Sequence, residues 1–209
     1  MSYERPAHVI LEIECGDYPF PRLGNRKPVQ GELYVGLDTF AGMSSEDVAA
    51  TAQGVQYILS RAIIRQMSVV PLGSVQMVRG DSSELPFRDG TVDEVVAVDV
   101  FGNRENYARH GQVALEAARV LRQSGQLTVV ETRSPRPLDA SPAESVPGLR
   151  GLMREAGLVQ ANRGLEQLNA AGVAEYAHPS SRLRWGDPEA RDYIAIFMHS
   201  AAFEHDSGV

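Results

Sequence analysis

Three short stretches of this chain bring acids and a glycine to positions where an apolar run stops. The first is Glu12-Ile13-Glu14-Cys15-Gly16-Asp17, the second Tyr34-Val35-Gly36-Leu37-Asp38, and the third Gly80-Asp81-Ser82-Ser83. A glycine just past a strand lets the backbone approach a ligand closely, so Gly16 suits a loop that cradles a small molecule. Asp38 follows that first loop by a gap comparable to the roughly 20 residues that separate a glycine loop from a ribose-binding acid in dinucleotide folds. Taken singly, Asp38 and Asp81 read as helix caps or turn residues and Gly16 as a plain turn; their common order and spacing favour the ligand-binding reading. Further along, Asp99, Asn103, Tyr107 and His110 follow another apolar run and are candidates to hold or move a proton. Each has an alternative as a cap or surface residue, and His110 is read that way. Cys15, the only cysteine, reads as a small buried hydrophobe, since no histidine is spaced to activate it. Asp93 reads as structural, and no metal-ligand set is found.

These residues need elements to hold them. Apolar runs at His8–Ile13, 33–37, 75–78, 92–100, 126–130 and 193–198 read as strands; the fourth is β-branched and apolar enough to be buried on both faces. Helical spacing recurs over 45–66, introduced by Ser44 and Asp47 as a capping box, over 107–121, and over 149–156 before Gly157. The Gly- and Pro-containing stretch 15–28 and residues 132–147 read as loops, and 206–209 as a frayed tail. Strands alternating with helices imply a mostly parallel, doubly wound α/β sheet, with ligands bound beyond the carboxyl ends of its strands.

The bulk properties agree. With 209 residues, 43% of them hydrophobic, the chain suits one domain over 1–209. The formal net charge of -7 works against a phosphate-backbone substrate. No apolar run reaches the roughly 20 residues that span a bilayer, and Met1–Pro6 carries no leader pattern, so a cytoplasmic location is expected. A nicotinamide-dependent oxidoreductase would need Gly-x-Gly-x-x-Gly, of which the first loop offers only Gly16.

Taken together, Leu11-Glu12-Ile13-Glu14-Cys15-Gly16, Tyr34-Val35-Gly36-Leu37-Asp38, Gly80-Asp81 through Leu85-Pro86-Phe87, Asp89 through Val96, and Ala118-Arg119-Val120-Leu121 through Gly125-Gln126-Leu127 resemble the class I S-adenosylmethionine-dependent methyltransferases, small-molecule type 11 branch. The family segments look like LEIGCGxG, YxGxD, GDAxxLPFxDxxFD and ARVLxPGGxL, and the resemblance runs from about residue 8 to about 160. It implies a Rossmann-like, three-layer, mostly parallel seven-stranded sheet with a C-terminal antiparallel strand. It implies S-adenosylmethionine as cofactor, S-adenosylhomocysteine as product, and in-line methyl transfer to a small-molecule acceptor. By the same resemblance the cofactor residues are Glu12 (ordering the loop and the methionine portion), Glu14, Gly16, Asp38 (ribose), Asp81 (adenine amino group) and Ser82 (its backbone N–H), with Leu85-Pro86-Phe87 packing beneath. The family has no universal catalytic residue.

Two departures matter. Glu14 stands where the family has glycine. It either swings outward, or draws the cationic sulfonium and ammonium groups, or fills the space and leaves a non-catalytic binding or partner subunit. Tyr18 replaces a further glycine, although Asp17-Tyr18-Pro19-Phe20-Pro21 resembles a variant loop with prolines. The first strand also starts near His8, without the helices that cover the cleft in relatives. The cleft is then expected to be open, or covered by a homodimer, a partner chain or the segment 164–192 with Tyr176, His178, Arg182, Arg184 and Trp185, which reads as a lid, an interface or, equally well, a plain surface excursion. Asp99-Val100-Phe101-Gly102 lacks the prolines and aromatic residue of amino-methyltransferases that act on DNA, which again disfavours nucleic acid.

Overall fold

The computed structural model describes residues 8–15, 32–39, 75–102, 107–134, 148–162 and 191–201. Seven strands form one sheet: β1 (His8–Ile13), β2 (Glu32–Asp38), β3 (Val75–Arg79), β4 (Val92–Val98), β5 (Leu121–Ser134), β6 (Leu158–Gln160) and β7 (Arg191–His199). Two helices are described, α1 (Tyr107–Val120) and α2 (Leu149–Glu155). The sheet order is β3-β2-β1-β4-β5-β7-β6. The pairs from β3 to β5 are parallel, and β7 runs antiparallel to both β5 and β6. The order reverses between β1 and β4, so the carboxyl ends of β1, β2 and β3 share one side of that switch.

Alternation along the strands explains the burial. Leu11, Ile13, Val35, Leu37, Val95, Ala97, Leu127 and Val129 join the inner face of α1 (Val113, Ala114, Ala117) and Leu149, Leu152 and Met153 of α2 in one core. Ile10, Tyr34 and Val96 point to the opposite face and form a second buried cluster. Both faces are covered, as a central parallel sheet requires.

Polar side chains fix the register of the edges. Asp93, read from the sequence as structural, accepts the Val9 N–H at 2.8 Å through Oδ2 and pairs with Arg122 through Oδ1. Arg119 on α1 bonds the carbonyls of Leu85 (2.9 Å) and Phe87 (2.8 Å) and the Asp89 carboxylate (2.7 Å). Glu116 beside it accepts the Leu85 N–H at 2.8 Å. The loop from β3 to β4 is thereby fastened to α1, with Leu85 buried beneath it and Phe87 packed against the core.

Several sequence-based boundaries shift. Leu121 opens β5 rather than closing α1, because its backbone pairs with Val92. β5 runs on to Ser134, so residues 132–134 are strand rather than loop. β4 stops at Val98 rather than Val100, because Asp99 turns to φ 55°. No stretch of the sequence reads as β6: at three residues it has no periodicity, and its pairing with β7 supplies the seventh strand that the resemblance implies. Arg191 and Asp192 lie in β7 and so outside any insertion. Gly157 ends α2 with φ 80°, as expected of a helix-terminating glycine. Gly16, Tyr18, Asn103, the helix expected over 45–66, the rest of 164–192, most of the 15–28 and 132–147 loops, and the C-terminal tail lie outside the described residues.

Gly125 gives a local stability test. A Cβ there would meet the Asp93 carbonyl oxygen at 2.9 Å and the Arg122 carbonyl oxygen at 3.0 Å, both backbone. Gly125→Ala is expected to cost about 1–3 kcal/mol by forcing the two strands apart. An unchanged midpoint in urea would show that β5 absorbs the methyl group.

Candidate functional site

The turns after β1, β2 and β3 are tied to one another by backbone bonds. The Cys15 N–H donates to the Leu37 carbonyl at 3.2 Å, and the Gly80 N–H donates to the Asp38 carbonyl at 3.1 Å. Cys15, Asp38 and Gly80 are therefore gathered on the carboxyl edge of the sheet, one from each turn. Gly16 follows the first of them beyond the described residues.

Four carboxylates mark this edge. Glu12 is buried (2% exposed) on β1, and the Tyr34 hydroxyl donates to its Oε2 at 2.8 Å. Glu12 faces Gly36 across the β1–β2 register, so glycine leaves room beside it. Asp38 ends β2 and is 8% exposed. Asp81 is exposed, and its Oδ1 accepts the Ser83 N–H at 2.8 Å, the Ser83 hydroxyl at 2.7 Å, and the Arg109 guanidinium. Burial alone would lift the Asp81 carboxyl, but the Ser83 bonds and the Arg109 charge hold it below its ordinary range. Asp81 thus caps its own turn and does not begin a helix.

Glu14 is the fourth. Its backbone lies in the left-handed region at φ 53°, a conformation that favours glycine. A glycine, which the resemblance leads one to expect here, would adopt this backbone without strain. Its side chain neither leaves the edge nor lies idle: the buried Ser82 hydroxyl donates to Glu14 Oε1 at 2.7 Å, joining the turn after β1 to the turn after β3. Burial pushes the Glu14 carboxyl up; the Ser82 bond opposes this, the Asp38 and Asp81 charges add to it, and Arg109 opposes it. The folded state therefore holds the Glu14 proton to higher pH than the unfolded chain, so stability falls as pH rises from the ordinary carboxylate range through the raised folded value. Glu14→Gln keeps an acceptor oxygen for Ser82 and removes the charge. The variant is expected to match the wild type in acid and to gain in Tm over it across that window. A Tm difference that stays flat with pH would refute this.

Cys15 is buried, and its thiol is pushed well above its ordinary value by that burial and by the Glu12 and Asp38 charges. A thiol so placed stays protonated, which agrees with reading it as a small hydrophobe.

A second loop flanks the edge after β4. Asp99 adopts φ 55°, with its N–H bonded to the Val130 carbonyl at 2.8 Å. The loop is then held by Glu131, three residues before the end of β5, a carboxylate 1% exposed. Its Oε1 accepts the Phe101 N–H at 2.7 Å and its Oε2 the Gly102 N–H at 2.9 Å. Phe101 in turn meets the His110 ring edge-on at 5.4 Å. His110 is 1% exposed, so its reading as a cap or surface residue is corrected: the first turn of α1 presses it against Phe101 and Tyr107.

Sequence reasoning missed Tyr34, Arg109 and Glu131. Tyr34 stood in the stretch Tyr34–Asp38 with no role given to it, and Glu131 left a trace as an acid directly continuing the apolar run Leu127–Val130. Tyr34 acts across the sheet and Arg109 from α1, at separations no local pattern reveals.

The acceptor chemistry fits an adenosine-bearing ligand. A buried acid at the tip of β2 suits paired hydroxyls, and an exposed acid after β3 suits an amino group. What crosses the same ground is the Glu14 side chain, a flexible group rather than backbone, and so able to yield.

Comparison with known proteins agrees. Residues 30–129 match the family model described as a methyltransferase domain, type 11. The chain is 29% identical over 171 residues to a demethylmenaquinone methyltransferase of Mycobacterium bovis, covering 77% of this chain and 72% of that protein. Among solved structures it is similar to a SAM-dependent methyltransferase of Methanosarcina mazei, with TM-score 0.54, 14% identity and 94% of both chains covered. It is also similar to an antibiotic-related methyltransferase, with TM-score 0.57, 15% identity, and 93% of this chain and 89% of that one covered. At those identities the solved structures speak for the fold. In fold, motif order and sequence the chain is thus similar to the type 11 branch of the class I S-adenosylmethionine-dependent methyltransferases.

Proposed function

We propose that this protein transfers a methyl group from S-adenosylmethionine to a small-molecule acceptor, with the cofactor held by Glu12, Asp38, Asp81 and Ser82 and by the loop that contains Gly16. The observation that carries this reading is the joining of three strand ends, through Cys15 to Leu37 and Gly80 to Asp38, at the carboxyl edge of a parallel sheet. When bound, the sulfonium supplies an activated methyl group and a neutral leaving group. The protein's part is alignment, and well-oriented groups gain up to about 7–11 kcal/mol in this way. Asp38 accepts ribose hydroxyls, Asp81 accepts the adenine amino group, and Glu12, braced by Tyr34, orders the first loop. Glu131 fixes the Phe101–Gly102 loop that borders the acceptor side. The similarity to a protein named for methylating demethylmenaquinone, together with the net charge of -7, supports a small molecule over a nucleic acid.

Calorimetry with S-adenosylmethionine and S-adenosylhomocysteine tests the cofactor, and label transfer from methyl-labelled cofactor to a panel of small acceptors tests the reaction. Saturable binding of both ligands is expected. Absence of heat at millimolar ligand sinks the reading. If Glu14→Gly then binds where the wild type does not, the glutamate side chain blocks the site and the chain is a binding relative rather than an enzyme.

A further inference from the structure

Glu14 is the residue that separates this crevice from one lined by glycine. Its carboxylate does not fold away into solvent; it stands between the turns after β1 and β3, held at 2.7 Å by the Ser82 hydroxyl. That partner is neutral, so the bond positions the charge without cancelling it. The charges that act on it are Asp38 and Asp81, which repel it, and Arg109, which attracts it. Arg109 is itself bonded to Asp81, and Glu12 lies buried on β1 two residues before. Among the described residues the crevice is therefore strongly negative, and Glu14 places one more negative charge in it than a glycine would. A carboxylate short of water and repelled by its neighbours gains most from a ligand that brings a positive charge.

We propose that Glu14 is a specificity-determining residue that makes this crevice prefer an adenosyl ligand with a positive charge at the sulfur position to one without it, and so the sulfonium cofactor to the thioether product. The inference rests on the reading of the site given above. Substrate and product share the adenine, the ribose and the amino-acid end, and differ at sulfur by one positive charge and one methyl group. Contacts to the shared parts cancel in a ratio of their affinities, and the charge at Glu14 does not. A unit charge pair several ångströms apart at an effective dielectric near 20 is worth roughly tenfold or more in affinity. The physical consequence is an enzyme that releases its product readily and resists inhibition by it.

Three ligands are measured by calorimetry on the wild type, Glu14→Gln and Glu14→Gly: S-adenosylmethionine, S-adenosylhomocysteine, and an unreactive adenosyl analogue with an ammonium in place of the sulfonium. The wild type is expected to bind both cations about tenfold or more tightly than the thioether. Glu14→Gln, which keeps the Ser82 bond, is expected to lose most of that preference, chiefly by weaker binding of the cations. Glu14→Gly is expected to lose the preference and to bind the thioether more tightly, because the crossing side chain is gone. A preference equal in all three proteins overturns the proposal and leaves the site reading intact. A wild type that favours the thioether also overturns it. If none of the ligands binds any of the three proteins, the site reading itself fails.

Discussion

Glu131→Ala is expected to lower the stability of the protein by about 2–5 kcal/mol and to abolish methyl transfer. The carboxylate accepts two backbone N–H groups, from Phe101 and Gly102, in a place with almost no access to water. Its removal leaves two buried donors without acceptors, at about 1–3 kcal/mol each. Relief of the desolvated charge offsets part of this, and water entering the cavity offsets more. The damage is also directional, because the residues released lie just after Asp99, whose left-handed backbone is itself under strain. Glu131→Gln keeps the volume and one acceptor oxygen but turns an N–H of its amide toward one of the two donors, so it should fall between wild type and alanine. Urea denaturation gives the first number and label transfer the second. A Glu131→Ala protein with unchanged midpoint and rate would show that the Phe101–Gly102 turn holds itself.

Asp38→Asn is expected to weaken S-adenosylhomocysteine binding about 100-fold. Asp38 ends β2 at the tip of the sheet, and its backbone carbonyl keeps the bond to Gly80 whatever the side chain. A carboxylate can accept both ribose hydroxyls, and hydrogen bonds to a charged group contribute about 1.5–3 kcal/mol each. An amide offers one oxygen and an NH2 that meets the second hydroxyl less well. The decisive control is the ligand without ribose hydroxyls: the substitution should scarcely change its affinity. If Asp38→Asn weakens both ligands alike, or neither, Asp38 does not hold the ribose.

Much of this was legible before any coordinates. β1, β2 and β4 announce themselves because each is a run of apolar residues closed by an acid, Glu14, Asp38 and Asp99; His8–Ile13 matches its expected bounds residue for residue. Asp38 and Asp81 could be named because a parallel sheet forces ligand chemistry to strand ends. Three kinds of feature were hidden. The three-residue β6 has no period of its own and exists by pairing with β7. His110 carries a polar ring that reads as surface, yet the edge of Phe101 gives it a place in the interior. Glu14 was recognised as out of place, but its sequence neighbours say nothing of Ser82, which reaches it from the far side of β2. The local chain reports what an element is; what an element touches depends on the topology.

The position of β7 has a consequence for biosynthesis. Among the described strands, the last in chain order is an interior member of the sheet, lodged between β5 and β6 and bonded to both. Until residues 191–199 emerge, the nascent chain carries β5 with its outer backbone groups open, and such an edge is an invitation to foreign strands. A chain cut short before Arg191 would forfeit far more than its tail: it would lose the seam that closes one flank of the protein, and such fragments should depend on chaperones or be degraded.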